Sequence, residues 1–456
     1  MKKIKKITIL LLAAMLATTG FRCKFQPTEV QQKLKPITLN YWRAWDDTED
    51  FSQIINEYRA IHPNININYR KLRYEEYEKE LLEAWAEDRG PDIFSVRNTW
   101  VRAYESKISP LPKEISMAYQ RTEKSLGIKE ETVVEIKKQK SITPAEIKLN
   151  FLDVVYKDAV IGSEIYGLPL SVDTLVMFYN RGLLNNAGIS LAAGDWRQFQ
   201  TDVKKISLLS RDNNIIQAGT ALGTGKNVLH AFDIISLLMM QNGAVMADTA
   251  GNPTFHSIPP GSSSNYNPGI EATKFYTDFA SPSKEVYSWN SNMTNSRQAF
   301  ARGLVGYYFG YSSDIEYIER DSRGKLNYGI TNMPQIEGNT EVNIANYWLE
   351  TVSKKSKYQN EAWDFIQFMT QAKNVKSYLG SAARPTALRA LIDEQKSNGN
   401  MAIFASQLLT TKTWYQGKKA AEAEEIFKEM ADSIVKGEDP NKAVPFAAQR
   451  VSQTIR

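Results

Sequence analysis

Cysteine is almost absent from this sequence, since Cys23 is the single one among 456 residues. The chain after Cys23 therefore has no internal disulfide and no thiolate metal site, and its stability has to come from packing. Histidine is scarce too. None of His62, His230 and His256 lies three or four residues from another, which excludes the helical histidine pair of a zinc site. We accordingly expect no metal and no cofactor.

The apolar segment near the N-terminus is too short to be a comfortable membrane span. Residues 7–17 (ITILLLAAMLA) fall below the roughly 20 residues that a transmembrane helix needs. The segment follows the basic residues 2–6 (KKIKK), and this order is typical of an export signal. We predict an export signal over residues 1–22 and a body of the protein that works outside the cytoplasmic membrane.

Cys23 directly follows this segment and resembles the lipidated cysteine of bacterial lipoproteins. We predict that a lipid on Cys23 anchors the chain to the outer face of the cytoplasmic membrane. Ordinary secretory cleavage is the alternative, because Phe21 and Arg22 stand where the lipoprotein motif has small residues. Residues 23–36 are polar, contain two prolines, and are interpreted as a tether.

The body of the chain has no excess charge of either sign. The formal net charge of +5 is matched by the basic residues before Cys23, which are Lys2, Lys3, Lys5, Lys6 and Arg22. The balanced remainder gives no reason to expect a nucleic-acid partner. The length predicts two to three domain-sized units of roughly 150 residues each.

Common catalytic motifs are also missing. The segment 219–226 (GTALGTGK) is not a phosphate loop, because Thr220 replaces the first glycine and Asn227 the final Ser/Thr. The chain also has no G-x-S-x-G motif, the nucleophile elbow of many serine hydrolases. The paired carboxylates of a glycoside hydrolase have no fixed spacing in sequence. An extracellular glycosidase or lyase therefore stays an alternative.

Alternating and helical apolar patterns follow one another after the tether. They predict a strand at 37–41, a helix from 47 to 62, a strand at 64–70, a helix over 74–85 and a strand at 92–96. This order predicts a parallel, doubly wound sheet. Residues 112–150 are rich in Lys and Glu, and surface helices are predicted there. Further helices are predicted near 195–209, 228–241 and 419–434, with a loop over 251–269.

Aromatic and polar residues follow two of these predicted strands. Trp42, Trp45 and Asp46 are predicted beyond the end of the first strand, and Asn98 and Trp100 just past the third. Ligands of open parallel sheets bind outside the carboxyl ends of the strands. Indole faces together with carboxylate and amide groups suit the apolar faces and hydroxyl edges of sugars. Core packing is the alternative for any single tryptophan.

Several segments together resemble the family 1 extracellular solute-binding proteins of bacterial ABC importers, which are relatives of maltodextrin- and other sugar-binding proteins. These segments are GPDIFSV (90–96), IYGLPLSVDTLVMFYNRGLLNNAGI (165–189), DWRQF (195–199), MQNGA (240–244), AFARGLVGYYFG (299–310), NYGITNMP (327–334) and AWDFIQFM (362–369). The resemblance implies an α/β fold of two doubly wound lobes joined by a multi-segment hinge, as in periplasmic binding proteins. It also implies an N-terminal lobe of residues 37–171 plus 345–395 and a C-terminal lobe of 172–344 plus 396–456.

The resemblance implies further cleft residues besides the five after the strands. They are Asp173, Tyr311, Tyr347, Trp348, Arg384 and Trp414. Tyr311 and Ser312 depart from the Gly-Pro-Trp that relatives commonly have there. The implied function is that of a monomeric, non-enzymatic binder of a carbohydrate or polyol, which delivers its ligand to the membrane subunits of an ABC permease. A surface receptor without a transport role is a further alternative.

Overall fold

A computed structural model describes residues 34–125, 129–261, 265–397, 399 and 401–456. The predicted export signal and Cys23 lie outside these residues, as does most of the predicted tether. Across the ranges that are described, none of the helices combines the length and the apolar character that a bilayer crossing requires.

The helices of the described ranges begin and end close to the predicted positions where the apolar pattern was strong. They are α1 (Thr48–Ile61), α2 (Tyr74–Ala86), α3 (Val101–Tyr104), α4 (Pro144–Asn150), α5 (Asp153–Ala159), α6 (Arg181–Asn186), α7 (Trp196–Ile206), α8 (Ala231–Gln241), α9 (Pro268–Asp278), α10 (Ser296–Ala301), α11 (Asp314–Ser322), α12 (Gln359–Met369), α13 (Ala372–Ala382), α14 (Ile392–Lys396), α15 (Met401–Gln407), α16 (Ala420–Val435) and α17 (Pro440–Ser452).

The strands alternate with these helices along the chain. They are β1 (Ile37–Ala44), β2 (Ile65–Leu72), β3 (Ile93–Arg97), β4 (Ile108–Ser109), β5 (Glu114–Ser125), β6 (Lys129–Lys140), β7 (Val160–Ile161), β8 (Glu164–Ile165), β9 (Asp173–Thr174), β10 (Val176–Asn180), β11 (Leu208–Leu209), β12 (Ile215–Thr220), β13 (Val305–Gly310), β14 (Tyr328–Thr331), β15 (Asn343–Asn346), β16 (Trp348–Ser353) and β17 (Thr411–Lys412).

Two five-stranded sheets form the centres of two lobes. The first sheet has the order β2-β1-β3-β16-β4, with β2, β1 and β3 parallel and β16 antiparallel to β3. The second sheet has the order β11-β12-β13-β10-β14 and includes the parallel pair β12–β13. We call the chain packed around the first sheet the first lobe, and the chain packed around the second sheet the second lobe. Each lobe buries a tryptophan completely, Trp363 in the first and Trp289 in the second.

A small third sheet connects the two lobes. Its order is β17-β15-β9. Strand β9 is followed almost at once by β10 of the second sheet, and β15 by β16 of the first sheet. The chain therefore passes from lobe to lobe at this sheet, which is where the multi-segment hinge was predicted.

The prediction of surface helices over residues 112–150 is wrong for most of that range. Strands β5 and β6 pair antiparallel in a hairpin of twelve residues each, and only α4 is helical. Alternate residues Ile115 and Met117 are buried, and β5 packs against α12. The many Lys and Glu residues had favoured a solvated helix, but burial of one face of β5 and opposite charges across the ladder, as in Glu114 opposite Lys140, favour the strands.

Candidate ligand-binding cleft

The strand order of the first sheet creates a crevice. From strand β1 the chain moves to β2 on one side, and it returns to β3 on the other side. The loops after β1 and β3 therefore diverge, and this kind of switch point is where ligands of parallel sheets bind. A cavity of about 430 Å³ lies here, between the first lobe, the second lobe and the strands that connect them.

Seven of the predicted site residues are brought together around this cavity. They are Trp45, Asp46, Asp173, Tyr311, Tyr347, Trp348 and Arg384. They come from the loop after β1, from β9, from the β15–β16 segment, from the loop after α13 and from the second lobe. The sequence positions are far apart, so the cleft is a product of the tertiary fold.

The expectation that Trp42 lies beyond the first strand is wrong. Strand β1 continues to Ala44, so Trp42 lies inside the strand, where it is 7% exposed and carries the Arg70 guanidinium on its ring at 4.7 Å. Trp100 is buried behind the cleft, with its ring edge-on to that of Trp348 at 5.5 Å. Neither indole lines the cavity, and Trp100 supports the cavity wall through its contact with Trp348.

Asn98 and Trp414 are likewise buried and outside the cavity lining. The Asn98 amide donates a hydrogen bond to the Asp158 carboxylate at 3.2 Å. The Trp414 indole N–H donates to the Ser236 hydroxyl at 3.0 Å, and its ring stacks on Phe232 at 5.8 Å. Their polar groups are satisfied within the protein, as buried polar groups generally are.

Trp45 occupies the cleft with an unusual backbone. Its φ is 82°, a left-handed conformation that is rare for a bulky residue. The indole stacks on Tyr74 at 5.1 Å and meets Tyr317 of the second lobe edge-on at 6.3 Å. Strain of this kind is found where the surroundings hold a side chain in a functional position.

Asp46 is buried at one end of the cavity among basic groups. Arg43 Nε donates to its Oδ2 at 2.8 Å, the Tyr378 hydroxyl donates to the same oxygen at 2.9 Å, and Arg384 lies 3.5 Å from Oδ1. Burial alone would raise the pKa of Asp46, but the charges of Arg43 and Arg384 hold it below its ordinary value. The carboxylate is thus ionised at neutral pH and presents acceptor oxygens.

Arg43 is also held by a second buried carboxylate. It pairs with Glu350 of β16, which also accepts hydrogen bonds from the Tyr41 and Ser95 hydroxyls at 2.7 Å each. Every member of this network is buried and has partners. Such satisfied networks hold side chains rigidly, so Asp46 has a defined position at the cavity wall.

Asp314 is the corresponding buried carboxylate of the second lobe, at the start of α11. It accepts hydrogen bonds from Arg297 at 2.8 Å and from the Tyr308 hydroxyl at 2.9 Å, and His230 Nε2 lies 2.9 Å away. Burial opposes its ionisation, but His230 and Arg297 hold the pKa of this carboxyl well below its ordinary range. The backbone N–H of Tyr311 also donates to it at 3.1 Å, which fixes the loop after β13.

Asp173 lies on the connecting strand β9. Its Oδ2 accepts hydrogen bonds from the Ser312 hydroxyl at 2.6 Å and the Ser312 N–H at 2.9 Å. Burial is the largest influence and raises the pKa of Asp173 to about 6, although the Ser312 hydrogen bonds and the charge of Arg384 oppose it. The protonation of Asp173 therefore changes closer to neutral pH than that of an ordinary aspartate.

Sequence reasoning missed much of the charged lining. The missed residues include Arg43, Arg97, His230, Arg297, Asp314 and Tyr317. Arg43 could have been found, because it stands between Trp42 and Trp45. Arg97 could have been found as well, because it directly precedes Asn98 at the end of β3. The others lie on segments of the second lobe that meet only through tertiary packing, and no sequence spacing indicates it.

A larger cavity, of about 820 Å³, lies at the other end of α1 beside the β5–β6 hairpin. His62 in its wall is held by the Ala118 carbonyl at 3.2 Å and by Asp364 at 3.3 Å, in keeping with a helix-end role. This cavity is away from the carboxyl ends of β1 and β3. Aromatic rings and charged side chains meet at the switch point, so we place the candidate site in the cleft and not in this larger cavity.

The chemistry of the cleft is that of recognition of a polar molecule. Among the residues that the structure describes, no cluster of three or more His, Cys, Asp or Glu side chains is arranged to hold a metal ion. Two α/β lobes, a three-stranded connection and an aromatic, hydrogen-bonding cleft define a two-lobed binding protein. The chain belongs to the bacterial extracellular solute-binding protein family, whose model matches residues 44–376.

Known proteins agree with this assignment. The chain is similar to a galactooligosaccharide-binding protein of Bacillus subtilis, with 23% identity over 334 residues, 68% of this chain and 71% of the relative. A solved cyclic α-maltosyl-1,6-maltose binding protein from Arthrobacter globiformis matches 92% of this chain and 99% of its own, with a TM-score of 0.71 and 15% identity. An ABC transporter solute-binding protein from Thermotoga lettingae, bound with α-D-tagatose, matches 92% and 100%, with a TM-score of 0.67 and 16% identity.

These relatives are binding proteins, and the predicted family and the predicted two-lobed fold are confirmed. At such identities the structural likeness establishes the fold alone.

Proposed function

We propose that this protein is the extracytoplasmic substrate-binding component of an ABC importer. It binds a carbohydrate or polyol in the cleft between the lobes and hands it unchanged to a membrane permease. The family is one of extracellular solute-binding proteins, and two of the relatives above are named for sugar ligands. The third is an ABC transporter protein bound with a sugar.

The observation that carries the proposal is that the cavity is lined both by aromatic rings and by carboxylates whose charges are neutralised by neighbouring arginines. The aromatic rings of Trp45, Tyr74 and Trp348 line the cavity. The acceptors Asp46 and Asp314 are each matched by arginine within the protein. A neutral ligand with many hydroxyls suits such a site, because it gains hydrogen bonds to charged groups without leaving an ion unpaired.

Transport would proceed by a change in the populations of open and closed lobes. The cavity has walls from both lobes, so a ligand gains its full set of contacts only in the closed form and shifts the equilibrium toward it. The strands β9, β15 and β17 supply the hinge. We propose the lobe boundaries given by the resemblance, 37–171 plus 345–395 against 172–344 plus 396–456, and a monomeric protein.

A thermal-shift panel tests the ligand class. It contains hexoses, oligosaccharides, polyols, phosphoglycerol and short peptides. A ligand at 100 times its dissociation constant adds about 2.7 kcal/mol to the free energy of unfolding. We expect at least one sugar or polyol to raise the melting temperature. A response to peptides alone, or to none of the compounds, contradicts the proposal.

A matched pair of arginine variants locates the site. Arg384 lines the cavity and has only a 3.5 Å contact with Asp46, whereas Arg389 lies outside it and pairs with Asp153. We expect Arg384→Ala to weaken binding of the responding sugar by roughly 10–100-fold, the range for a hydrogen bond to a charged group. Arg389→Ala should leave the dissociation constant unchanged, as measured by titration calorimetry.

We propose that the protein does not turn its ligand over and that a lipid on Cys23 holds it at the membrane. Steady release of new reducing ends from oligosaccharides would establish the glycosidase alternative. Membrane fractionation of a Cys23→Ser variant tests the anchor. Release of the variant into the soluble fraction supports it, and unchanged fractionation refutes it.

A further inference from the structure

Contacts between the lobes run along one side of the cleft. We call this line the seam and define it as Tyr317, Trp45, Tyr74, Arg97 and Glu424. Its ends belong to the second lobe, since Tyr317 lies on α11 and Glu424 on α16. Its middle belongs to the first lobe. All five side chains also line the cavity, so the seam is one of the cavity walls.

The aromatic half of the seam is held in place on both sides. In the first lobe the Trp45 ring stacks on Tyr74, with 25° between the planes. In the second lobe the Tyr317 ring carries the Arg297 guanidinium at 3.9 Å and that of Arg320 at 4.8 Å. Cations over a ring face stabilise its orientation. The edge-on contact of Trp45 with Tyr317 therefore joins two ordered side chains.

The ionic half of the seam is mostly buried. Arg97 ends β3 and pairs with Glu424 at 2.6 Å, and their side chains are 12% and 22% exposed. Arg97 Nε also donates to the Asn346 side chain on β15 at 3.3 Å. An ion pair anchored to the connecting sheet resists displacement by a ligand, since removing either partner leaves a charge with little solvent.

The rear of the cavity is filled by rings as well. Trp348 stands edge-on to Tyr74 at 6.1 Å, to Tyr77 at 5.7 Å and to Trp100 at 5.5 Å. The Tyr347 hydroxyl is committed to Asp158 at 2.8 Å. These contacts oppose a shift of either side chain that would lengthen the cavity.

We infer that the ligand is short, one or two sugar rings, and that the seam excludes longer oligosaccharides from the closed cleft. This rests on the proposed function. At roughly 30 Å³ for each displaced water, a cavity of about 430 Å³ holds on the order of a dozen waters. That is room for one or two pyranose rings with their hydroxyls. On the seam side, a longer chain has to pass between Trp45 and Tyr317 or to break the Arg97–Glu424 pair.

Calorimetric titration with matched length series tests the inference. The probes are the mono-, di-, tri- and tetrasaccharides of the glucose, galactose and mannose series. In the series that binds, we expect the mono- or disaccharide to bind at least tenfold more tightly than the tetrasaccharide. Equal or tighter binding of the tetrasaccharide overturns the inference and leaves the proposed function standing. Failure of every saccharide of these series to bind also overturns the inference, and it overturns the proposed function as well only when no other sugar or polyol of the thermal-shift panel raises the melting temperature.

Variants of Tyr317 test the role of the seam itself. We expect Tyr317→Ala to lower the preference for the shorter sugar at least tenfold, because the wall is then open on the side of α11. Tyr317→Phe retains the ring and should retain the preference. Phe446→Ala removes an aromatic ring that is 60% exposed on α17, and it serves as the control. A Tyr317→Ala protein that keeps its melting temperature and the full preference contradicts the assigned role of the seam.

Discussion

Trp45 combines a large ring in the cleft with a backbone φ of 82°. A side chain in this left-handed region costs roughly 1–2 kcal/mol relative to the right-handed one, and glycine does not bear that cost. The protein therefore has an indole at a position where the backbone conformation favours glycine. Stacking on Tyr74 contributes to holding it there.

Two substitutions of Trp45 separate the ring from the backbone. Trp45→Ala and Trp45→Gly both remove the indole, so each should weaken sugar binding to the same extent. Trp45→Gly should be the more stable of the two by about 1 kcal/mol, because only glycine relieves the strain. Chemical denaturation and calorimetry of both variants check this. Equal stability of the two variants would show that the left-handed backbone is not strained in solution.

Asp173 predicts a pH dependence of the ligand-free protein. Burial raises the pKa of Asp173 to about 6 in the folded protein, well above its pKa in the unfolded chain. At pH values between these two pKa values, the folded protein binds more protons than the unfolded chain. The free energy of unfolding contributed by this group therefore rises as the pH falls. From pH 7 to pH 5 the gain is about 1 kcal/mol.

The matched variant for this effect is Asp173→Asn, which cannot titrate. We expect its stability to gain about 1 kcal/mol less than wild type between pH 7 and pH 5. Comparison of the two slopes cancels the contributions of other groups. Denaturation midpoints at several pH values provide the measurement, and parallel curves for the two proteins would show that Asp173 titrates normally.

Individual site residues were predictable only where local sequence sets their position. Trp45 and Asp46 follow a strand pattern directly and were predicted. Trp42 was misplaced because β1 extends three residues beyond its clear alternation, to Ala44. Asp314 could not be predicted, since its partners His230 and Arg297 come from separate segments that meet only through packing of the second lobe.

At the scale of elements, the hairpin β5–β6 shows where composition misleads. Its Lys and Glu residues are common on solvated helices, but Ile115 and Met117 are buried against the first lobe. The type and order of the helices and strands from β1 to β3 were predicted correctly, although β1 ends three residues later than predicted. Their apolar periods are regular, and stop signals such as His62-Pro63 follow α1. Where a segment has no regular apolar period, burial in the tertiary structure decides whether it forms a helix or a strand.

The burial of β5 can be measured through a pair of variants. We expect Ile115→Ala to lower the free energy of unfolding by about 2–4 kcal/mol, the usual cost of removing a buried aliphatic side chain. Lys138 is exposed on the paired strand β6, so Lys138→Ala should change it by less than about 0.5 kcal/mol. Similar small effects of both substitutions in denaturant titrations would mean that the hairpin is not docked on the first lobe.

At the scale of the whole molecule, the fold was predicted through the resemblance and not through physics alone. Local patterns gave a parallel sheet for the first lobe, but nothing in them shows that β16 returns to that sheet some 250 residues later. Pairing over such a distance is set by the packing of the two lobes. The contacts across the cleft are consequences of the same packing, and no local pattern indicates them.

The Arg97–Glu424 pair couples this architecture to ligand affinity. The two partners belong to different lobes, so their attraction favours the closed form before any ligand is bound. When the closed form is less populated, the apparent dissociation constant rises by the same factor. We expect Arg97→Ala and Glu424→Ala each to weaken binding of the responding sugar roughly 3–30-fold. The double variant should be little weaker than either single one, because the pair is already broken.

Arg450→Ala is the control, because Arg450 pairs with Glu429 within the second lobe alone. It should leave the affinity unchanged. X-ray scattering of the ligand-free proteins provides an independent measurement, and the seam variants should show a larger radius of gyration than wild type. Strictly additive losses in the double variant would mean that Arg97 and Glu424 act on the ligand separately. In that case the Arg97–Glu424 pair would contribute no coupling energy to the closed form.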